Sequence, residues 1–383
     1  MGKQAQGVTG LNELIRVDTI QYMLTYPQKP IVKTSTIELI NYDKLPAGHN
    51  ASVAVMSYSG YDIEDAVILN RAALDRGFGR TFYFRRYETE LNRSEEEASI
   101  KDILVPKSFE IKKAEKHTQH YINKKYKNIE EDGLPKVGQQ VNNGEIYIHK
   151  KSPIISPEAK ERIKKLDYSG IEYLDRPAVL KAHVPLHVDR VILTSNDEDS
   201  SLIKTIFREM RRPELGDKFS SRHGQKGVCG LIVNEEDMPF SETGWRPDLI
   251  MNPHGYPSRM TVGKLLELIA GKAGALEGSM KYGTCFGGEN AKEIGEILVK
   301  NGFNYSGKDA LISGTTGEYI KCYVFSGPIF YQRLKHMVAD KIHARSVGKV
   351  NITTRQPTEG RSKEGGLRLG EMERDCLLGY GGS

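Results

Sequence analysis

The densest group of residues that could do chemistry lies between Glu214 and Gly227, in the sequence Glu-Leu-Gly-Asp-Lys-Phe-Ser-Ser-Arg-His-Gly-Gln-Lys-Gly. It contains two lysines, Lys218 and Lys226, together with three glycines and few apolar residues. The other side-chain donors of the stretch are Arg222, His223 and Gln225. Glycines let a backbone turn sharply, and cations around such turns suit a phosphate-bearing ligand. A solvated basic loop is the alternative, but the frequent glycines favour a shaped site.

Lys218 and Lys226 lie eight residues apart around this turn. A lysine is a compact point charge on a long stem, so it can reach a phosphate group. Two lysines can neutralise a triphosphate or an RNA backbone where negative charge builds up during phosphoryl transfer. A pair of ordinary surface lysines is the alternative interpretation.

Glu64 and Asp65 are adjacent acids immediately before an apolar run. On a regular strand they would point to opposite faces, whereas on a turn both could approach one ion. Carboxylate oxygens suit Mg²⁺, which keeps several waters and shares substrate phosphates. An acid pair at the surface or at a helix start would look the same in sequence.

Arg259 precedes a predicted helix that begins near Thr261, and Pro257 stiffens the chain before it. An arginine beside a helix N-terminus makes a good phosphate contact, because the backbone amides there already favour anions. An ion pair with a nearby acid is the common alternative.

Hydrophobic patterning predicts a mixed α/β fold that is rich in strands. Short apolar runs at 51–56, 66–69 and 81–84, and alternation at 184–188, predict β-strands. Helical spacing predicts that one helix buries Val262, Leu265, Leu266, Ile269, Ala273 and Leu276. A second helix is predicted across 330–344, with Leu334, Met337, Val338 and Ile342 buried. His336 then shares the polar face with Arg333, Asp340 and His343, where a solvated face is the simplest use.

Two other segments are basic. Residues 90–165 are highly charged, with lysines at 112, 113, 116, 124, 125 and 127, and are expected to project as a solvated insertion. Residues 355–370 are rich in glycine and carry Arg355, Arg361, Lys363 and Arg368. Such a loop can follow a nucleic-acid backbone without reading bases.

Composition adds only weak limits. The net charge of the 383-residue chain is +5, which permits nucleic-acid binding without requiring it. The cysteines Cys229, Cys285, Cys322 and Cys376 have no paired spacing, so we expect buried thiols in a reducing compartment and no zinc site in this chain. No apolar run is long enough to cross a bilayer.

The Glu214–Gly227 stretch closely resembles the lysine-bearing segment of the second-largest subunit of multisubunit DNA-directed RNA polymerases. Four further stretches follow the same order as in that family. They are Gly60–Asn70, Met251–Thr261, Lys335–Arg345 and Arg355–Arg374. The resemblance covers essentially the whole chain, and the sequence of Ile40–Gly48 is most similar to the polymerase III version.

The resemblance implies a fold and a domain order. Residues 1–85 and 206–345 would form a hybrid-binding region with a double-psi β-barrel. Residues 86–205 would form a wall region with a flap-like insertion, and residues 346–383 a switch or anchor segment. The chain would be the C-terminal part of the subunit without its zinc-binding clamp end.

The resemblance also implies roles. Lys218, Lys226, Arg259 and His336 would serve catalysis around the RNA 3′ end and the incoming nucleotide. Glu64 and Asp65 would approach the second Mg²⁺, partly through water. Contacts with nucleic acid would come from Arg222, His223, Gln225, Arg355, Arg361, Lys363 and Arg368.

The implied partners are the largest polymerase subunit, other polymerase subunits, template DNA, nascent RNA and ribonucleoside triphosphates. The largest subunit would supply the main Mg²⁺ ligands. The resemblance implies that the complex works in the nucleus and without a membrane. A non-catalytic hybrid-binding or assembly fragment is the alternative. A free-standing phosphotransferase is disfavoured, because the chain has no Gly-x-x-x-x-Gly-Lys-Ser/Thr loop.

Overall fold

The structure is a computed structural model, and it describes residues 1–92, 101–106, 108, 121, 124–154, 172–195 and 201–382. The chain divides into two compact units, a first unit of residues 1–335 and a second unit of residues 336–383. The predicted boundaries at residues 85, 205 and 345 stay predictions. The lysines at 112, 113 and 116 of the predicted insertion lie outside the described residues.

The first unit holds the strands of the described chain. They are β1 (Ile20–Leu24), β2 (Val32–Lys33), β3 (His49–Val55), β4 (Ala66–Asn70), β5 (Thr81–Leu91), β6 (Ile103–Leu104), β7 (Gln140–Val141), β8 (Ile146–Ile148), β9 (Lys150–Pro153), β10 (Tyr173–Asp175), β11 (Ala178–Val179), β12 (Leu186–Ser195), β13 (Ser201–Arg211), β14 (Lys218–Ser221), β15 (Lys226–Val233), β16 (Phe240–Ser241), β17 (Leu249–Met251), β18 (Lys281–Tyr282), β19 (Lys308–Ile312) and β20 (Tyr319–Arg333).

The helices whose bounds lie within the described residues are α1 (Ser35–Leu39), α2 (Arg71–Asp75), α3 (Val262–Glu277), α4 (Ala291–Lys300) and α5 (Glu371–Gly379). Short 3-10 turns lie at Gly2–Gln4, Glu13–Ile15, Tyr42–Lys44, Glu235–Asp237, Pro253–Gly255, Val338–Asp340 and Arg361–Lys363. This content confirms the predicted mixed α/β, strand-rich fold.

Six strands of the first unit close into a ring in the order β14, β15, β4, β17, β3 and β20, because β14 pairs with β20 as well as with β15. Two of the ring's pairs are parallel, β15 with β4 and β17 with β3. The central strand β17 pairs on both sides, and all three of its residues are buried. β19 and β16 extend the sheet beyond β20.

Both faces of the ring strands are covered. On one face Val53, Leu69 and Phe219 pack with Leu268 of α3. On the other, Ala54 and Ile250 lie in a separate cluster with Met238 and Val324. Successive strand residues point to opposite faces, so neighbours such as Val53 and Ala54 enter different clusters. This double burial fixes the ring strands that carry the site.

Helix α3 lies unusually close to β20 because both contribute glycine. A Cβ on Gly271 would lie 2.8 Å from the carbonyl oxygen of Pro328, and one on Gly327 would lie 2.9 Å from that of Leu268. The helix itself was predicted, but its buried face was predicted wrongly. Val262, Leu266 and Leu276 are exposed, Leu265 and Ile269 are half-buried, and only Ala273 of the predicted face is fully buried. The buried residues of α3 are Lys264, Glu267, Leu268, Ala270, Gly271, Lys272, Ala273 and Gly274.

A separate antiparallel sheet has the order β1, β5, β13, β12 and β7. β5 and β13 pair along their whole lengths, from Thr81 opposite Arg211 to Leu91 opposite Ser201. Its buried face includes Leu186 and Val188, which confirms the alternation predicted there.

The predicted helix across 330–344 is wrong. Residues up to Arg333 belong to β20, which pairs with β3, β14 and β19 and so is held as a strand along its length. Leu334 and Met337 are buried as predicted, but Ile342 is 67% exposed. Arg333, expected on a solvated face, is 3% exposed and bonded to Asp217. Tertiary pairing outweighed the helical spacing of four apolar residues.

The second unit is built mainly from turns and ends in α5. Arg361 donates to the carbonyl oxygens of Ala339 (2.7 Å) and Asp340, and the His343 imidazole bonds to the carbonyl oxygen of Gly365 (2.6 Å). These bonds join the glycine-rich segment to residues 339–343 of the same unit. Arg355 lies in the left-handed region of backbone conformation, at a φ of 56°.

The cysteines are free thiols, but only Cys229 is buried, so the expectation of burial is wrong for Cys285, Cys322 and Cys376. Burial raises the pKa of the Cys229 thiol to about 12. Across the described ranges, no helix has the length and apolar character needed to span a bilayer.

Candidate active site

The two lysines of the basic stretch lie on one hairpin. Lys218 begins β14 and Lys226 begins β15, and the register places Lys218 opposite Val228 and Ser220 opposite Lys226. The lysines are therefore diagonal neighbours on the same face, with Cα atoms typically about 7–8 Å apart in such a pair. Lys226 is exposed and Lys218 is half-buried. The fold thus brings together the two residues that sequence reasoning ranked first.

The acid pair lies on a turn, as the metal interpretation required. The amide of Ala66 donates to the carbonyl oxygen of Ile63 (3.3 Å), and Glu64 between them has a φ of 58°. This conformation is uncommon for a residue with a side chain. It places Glu64 and Asp65 at the tip of the turn that leads into β4.

Two glycines of β15 allow this acidic turn to pack closely against the hairpin. A Cβ on Gly227 would lie 2.3 Å from the carbonyl oxygen of Asp65, and one on Gly230 would lie 2.2 Å from that of Tyr61. The amide of Val228 also donates to the carbonyl oxygen of Asp65 (3.2 Å). Glycine at 227 therefore permits the acids and the hairpin lysines to share one region.

Arg259 meets Asp65 directly. Its guanidinium donates through both terminal nitrogens to the carboxylate, with Nη2 2.6 Å from Oδ2. Hydrogen bonds from Arg259 lower the pKa of Asp65, and the charge of Lys226 adds to the effect. The ion pair that sequence reasoning kept as an alternative for Arg259 is thus present, and its partner is the other candidate ligand.

One cleft is lined by four of these side chains, Glu64, Asp65, Lys226 and Arg259, but not by Lys218. Its inner part, a cavity of about 20 Å³, is lined by Glu64, Asp65, Ala66, Val67, Gln225, Lys226, Gly227, Met251, Asn252, Gly255, Arg259, Lys264 and Tyr331. Its outer part, about 600 Å³, adds Ser57, Ile63, His254 and Ser258. Asn252 is buried, and its side-chain oxygen caps the Pro253–Gly255 turn by accepting from the amide of His254 (2.9 Å). The cleft brings both carboxylates together with three basic side chains, Lys226, Arg259 and Lys264.

Arg222 and His223 turn inward to Glu267 of α3. Arg222 donates to Glu267 Oε1 (2.7 Å) and to the carbonyl oxygen of Val32 (2.8 Å), and His223 Nε2 bonds to Glu267 Oε2. The amide of Phe330 donates to the same carboxylate (3.0 Å). Burial acts to raise the pKa of Glu267, but His223 and Arg222 outweigh it and the pKa is lowered. These contacts fix the turn of the hairpin, and the predicted nucleic-acid contacts of both residues stay predictions.

Gln225 connects the hairpin to a buried lysine. Its Nε2 donates to the carbonyl oxygen of Gly255 (3.2 Å) and to Thr261 Oγ1, and its Oε1 accepts from Lys264 Nζ (2.6 Å). Lys264 also donates to the hydroxyl of Tyr331 (2.9 Å). Lys264 is fully buried, and burial lowers its pKa to about 7 against the opposing charge of Glu267.

Sequence reasoning missed Lys264, Glu267 and the buried Asp217–Arg333 pair, whose nitrogen and oxygen lie 2.6 Å apart. For α3, the sequence does contain the pattern of this buried face. Lys264, Glu267, Leu268 and Gly271 have the i, i+3, i+4, i+7 spacing of one helical face, and glycine at the last position indicates close packing. The prediction placed only apolar residues on the buried face, so it missed the face that contains Lys264 and Glu267.

The other predicted residues lie in the second unit. His336 is half-buried there, and Arg361 is half-buried through its bonds to the backbone. Arg355, Lys363 and Arg368 are exposed. The nucleic-acid contacts predicted for them stay predictions.

The donor set fits a magnesium ion only in part. Glu64 and Asp65 are hard oxygen donors, the type that Mg²⁺ prefers. Within the described ranges no group of three or more His, Cys, Asp or Glu side chains is placed to hold a metal. Two carboxylates suit an ion that takes its other ligands from water, from substrate or from another chain.

Comparison with known proteins identifies the family. The profile of the family described as RNA polymerase Rpb2, domain 6, matches residues 1–363. DNA-directed RNA polymerase III subunit RPC2 of Saccharomyces cerevisiae is 54% identical over 383 residues, covering 100% of this chain and 32% of the relative. The RPC2 subunit of Drosophila melanogaster is 50% identical over 391 residues, covering 100% and 33%.

Relatives from other polymerases match less strongly. DNA-directed RNA polymerase II subunit 2 of Arabidopsis thaliana is 42% identical over 381 residues, covering 100% of this chain and 31% of the relative. The chain spans about a third of the length of these relatives. The identities confirm the resemblance to the second-largest subunit and to its polymerase III version. The chain therefore belongs to the RNA polymerase Rpb2 domain 6 family.

Proposed function

We propose that this chain forms part of the active centre of a DNA-directed RNA polymerase, within a second-largest subunit of the polymerase III type. The reaction is template-directed nucleotidyl transfer, in which the RNA 3′ hydroxyl attacks the α-phosphate of a ribonucleoside triphosphate and pyrophosphate leaves. The observation that carries the proposal is the meeting of Lys226, Arg259, Glu64 and Asp65 in one cleft. The relatives' names support the same activity.

The cleft's charges suit the binding of a triphosphate. Arg259 and Lys226 flank the acidic turn, so a phosphate chain lying across the cleft would meet both cations. Lys218, on the same face of the hairpin, would meet the RNA 3′ end or its last phosphate. His336 would approach the incoming nucleotide. In these roles the protein positions the reacting groups and stabilises developing charge.

Glu64 and Asp65 would hold Mg²⁺, partly through water, with the main ligands on the largest subunit. The ion would neutralise the triphosphate and stabilise charge on the leaving group. Asp65 must then divide its two oxygens between Arg259 and the ion. Since Arg259 keeps the pKa of Asp65 low, the carboxylate is ionised and ready for this role near neutral pH.

The basic residues would bind nucleic acid without reading its sequence. The exposed Arg355, Lys363 and Arg368 would follow the backbone of the template–RNA hybrid, and Arg361 would hold their loop. Arg222, His223 and Gln225 would shape the hairpin turn that faces the hybrid.

The closed ring of six strands is consistent with a double-psi β-barrel, which we propose as its topology. The assignment of residues 86–205 to a wall region with a flap-like insertion, and of residues 346–383 to a switch segment, belongs to the same proposal. The partners would be the largest subunit and other polymerase subunits, template DNA, nascent RNA and ribonucleoside triphosphates, in the nucleus.

The test is incorporation of labelled ribonucleotide by the complex that co-purifies with this tagged chain. Incorporation that needs both DNA and Mg²⁺ is expected from the complex, and none from the chain alone. A complex with a large partner but no incorporation would contradict the proposal. Primer extension by the isolated chain would contradict the need for the largest subunit.

A further inference from the structure

Lys264 is the most deeply buried basic residue of the cleft, and its two hydrogen bonds match the donors of a neutral amine. Its amine donates to Gln225 Oε1 (2.6 Å) and to the hydroxyl of Tyr331 (2.9 Å). A neutral amine has two N–H donors, and these two acceptors satisfy both. An ammonium has three donors, so the charged form has one more donor than these two contacts within the described chain can satisfy.

The acceptor oxygens around Lys264 are fixed by their own partners. Gln225 Nε2 donates to the carbonyl oxygen of Gly255 and to Thr261 Oγ1, so the amide must turn Oε1 toward Lys264. The hydroxyl of Tyr331 donates to the sulfur of Met251 (3.7 Å), which leaves its oxygen free to accept from Lys264. Neither acceptor can rotate away without breaking another contact.

Lys264 lines the inner cavity together with Asp65, Lys226 and Arg259. The cavity, at about 20 Å³, has room for about one water molecule. A phosphate group bound by Lys226 and Arg259 would therefore act on Lys264 through a water or through space, and would favour its charged form.

Other titratable groups also lie around this amine. They are Glu267 on α3, Arg222 and His223 on Glu267, Tyr256 and Tyr331 beside the amine, and Glu64, Asp65, Lys226 and Arg259 around the cavity. Arg222 already pairs with Glu267, and the charge of Glu267 offsets the burial of Lys264 only in part. Ligand binding would change this environment by bringing an anion into the cleft.

We propose that Lys264 is a positioning residue of the cleft, holding Gln225 and the hairpin against Tyr331, and that its protonation is coupled to binding of a phosphate-bearing ligand by Lys226 and Arg259. The proposal rests on the proposed function only for the identity of that ligand. Because burial lowers the pKa of Lys264 to about 7, the charged form is lost as pH rises through neutrality. Ligand binding should therefore gain most from Lys264 below pH 7, and the gain should fall as the pH rises above 7.

The test uses the complex purified through this chain and inorganic tripolyphosphate with Mg²⁺ as the probe. Its dissociation constant is measured from pH 6 to pH 8.5 for the wild type, Lys264→Met and Lys272→Met. Lys272 is the matched control, because it is a buried lysine of the same helix that pairs instead with Asp309 (2.6 Å), outside the cleft. Tripolyphosphate itself titrates in this pH range, but this affects the variant and the wild type equally. It therefore cancels in the ratio of their dissociation constants.

Lys264→Met should weaken binding about three- to tenfold near pH 6 and by a smaller factor above pH 8. Lys272→Met should give a ratio that does not vary with pH. A ratio for Lys264→Met that is constant across pH, or the same pH dependence in Lys272→Met, would overturn the proposal.

Tyr331→Phe provides a second test if Lys264→Met fails to assemble. Loss of one acceptor disfavours the ammonium, so the pH at which binding weakens should move downward. An unchanged profile would count against the proposal. Template-dependent incorporation is measured on the same wild-type preparation. Its absence would contradict the proposed function, while the tripolyphosphate profiles would still decide the role of Lys264.

Discussion

Arg259 and Asp65 form a two-pronged ion pair across the candidate active site, with Arg259 Nη2 2.6 Å from Asp65 Oδ2. The pair joins the segment before α3 to the turn before β4, which are 194 residues apart in the chain. Arg259, which is suited to bind phosphate, thus neutralises Asp65, which is suited to bind Mg²⁺. Any ligand that takes one of them must change the environment of the other.

The first prediction concerns this pair. Arg259→Ala should lower kcat/KM for nucleotide incorporation by about 10²–10³-fold, because it removes a phosphate donor and frees the Asp65 carboxylate. Arg259→Lys should recover only part of the loss, since an ammonium cannot make the two parallel bonds of a guanidinium. Incorporation kinetics of the assembled complex measure both effects.

Arg246→Ala is the matched control, because Arg246 also lies in a partly exposed ion pair, with Glu235 at 3.4 Å, outside the cleft. It should leave kcat/KM within about twofold of wild type, as surface pairs contribute little. Equal losses from both arginine variants would contradict a specific role for Arg259.

The second prediction concerns Gly227. A Cβ there would lie 2.3 Å from the carbonyl oxygen of Asp65, so Gly227→Ala must displace the acidic turn from the hairpin. Displacement of a catalytic group by about 1 Å can cost about 100-fold in rate, and we expect at least a tenfold loss of incorporation. Gly287→Ala, where a Cβ would meet open space, should have no such effect. Normal kinetics in Gly227→Ala would show that the acidic turn does not act in the reaction.

The third prediction concerns stability. Asp217 and Arg333 form an ion pair whose side chains are each 2% exposed. Asp217→Ala leaves the guanidinium buried without its counter-charge and should lower the free energy of unfolding by about 3–5 kcal/mol. Asp375→Ala, which breaks a pair with both side chains 63% exposed, should change it by less than about 1 kcal/mol. Chemical denaturation of the purified chain distinguishes the two, and similar losses would contradict this account of the core.

The sequence was informative where chemistry and local pattern coincided. Lys218, Lys226 and the Glu64–Asp65 turn could be selected because charged residues cluster beside glycines and apolar runs. Their meeting in space could not be read in the same way. It depends on the parallel pairing of β15 with β4, which joins residues about 160 positions apart and leaves no local signal.

The two helical segments whose burial was predicted wrongly share one cause. Residues 330–344 have helical spacing, but β20 is fixed as a strand by partners on both sides. α3 has exposed Leu266 and buried Lys264 because Gln225 and Tyr331 supply hydrogen bonds to the lysine and Gly271 permits close packing. In both segments long-range contacts, not local hydrophobicity, decided burial.

The most direct test of the central claim is the rate of template-dependent incorporation at saturating nucleotide by the complex carrying both Lys218→Ala and Lys226→Ala. The control carries Lys292→Ala and Lys300→Ala, two exposed lysines of α4. A catalytic role predicts that the first variant loses at least about 100-fold in this rate while the control keeps it. If the first variant binds the RNA–DNA hybrid more weakly but keeps the wild-type rate, the cleft only binds nucleic acid and the catalytic account is wrong.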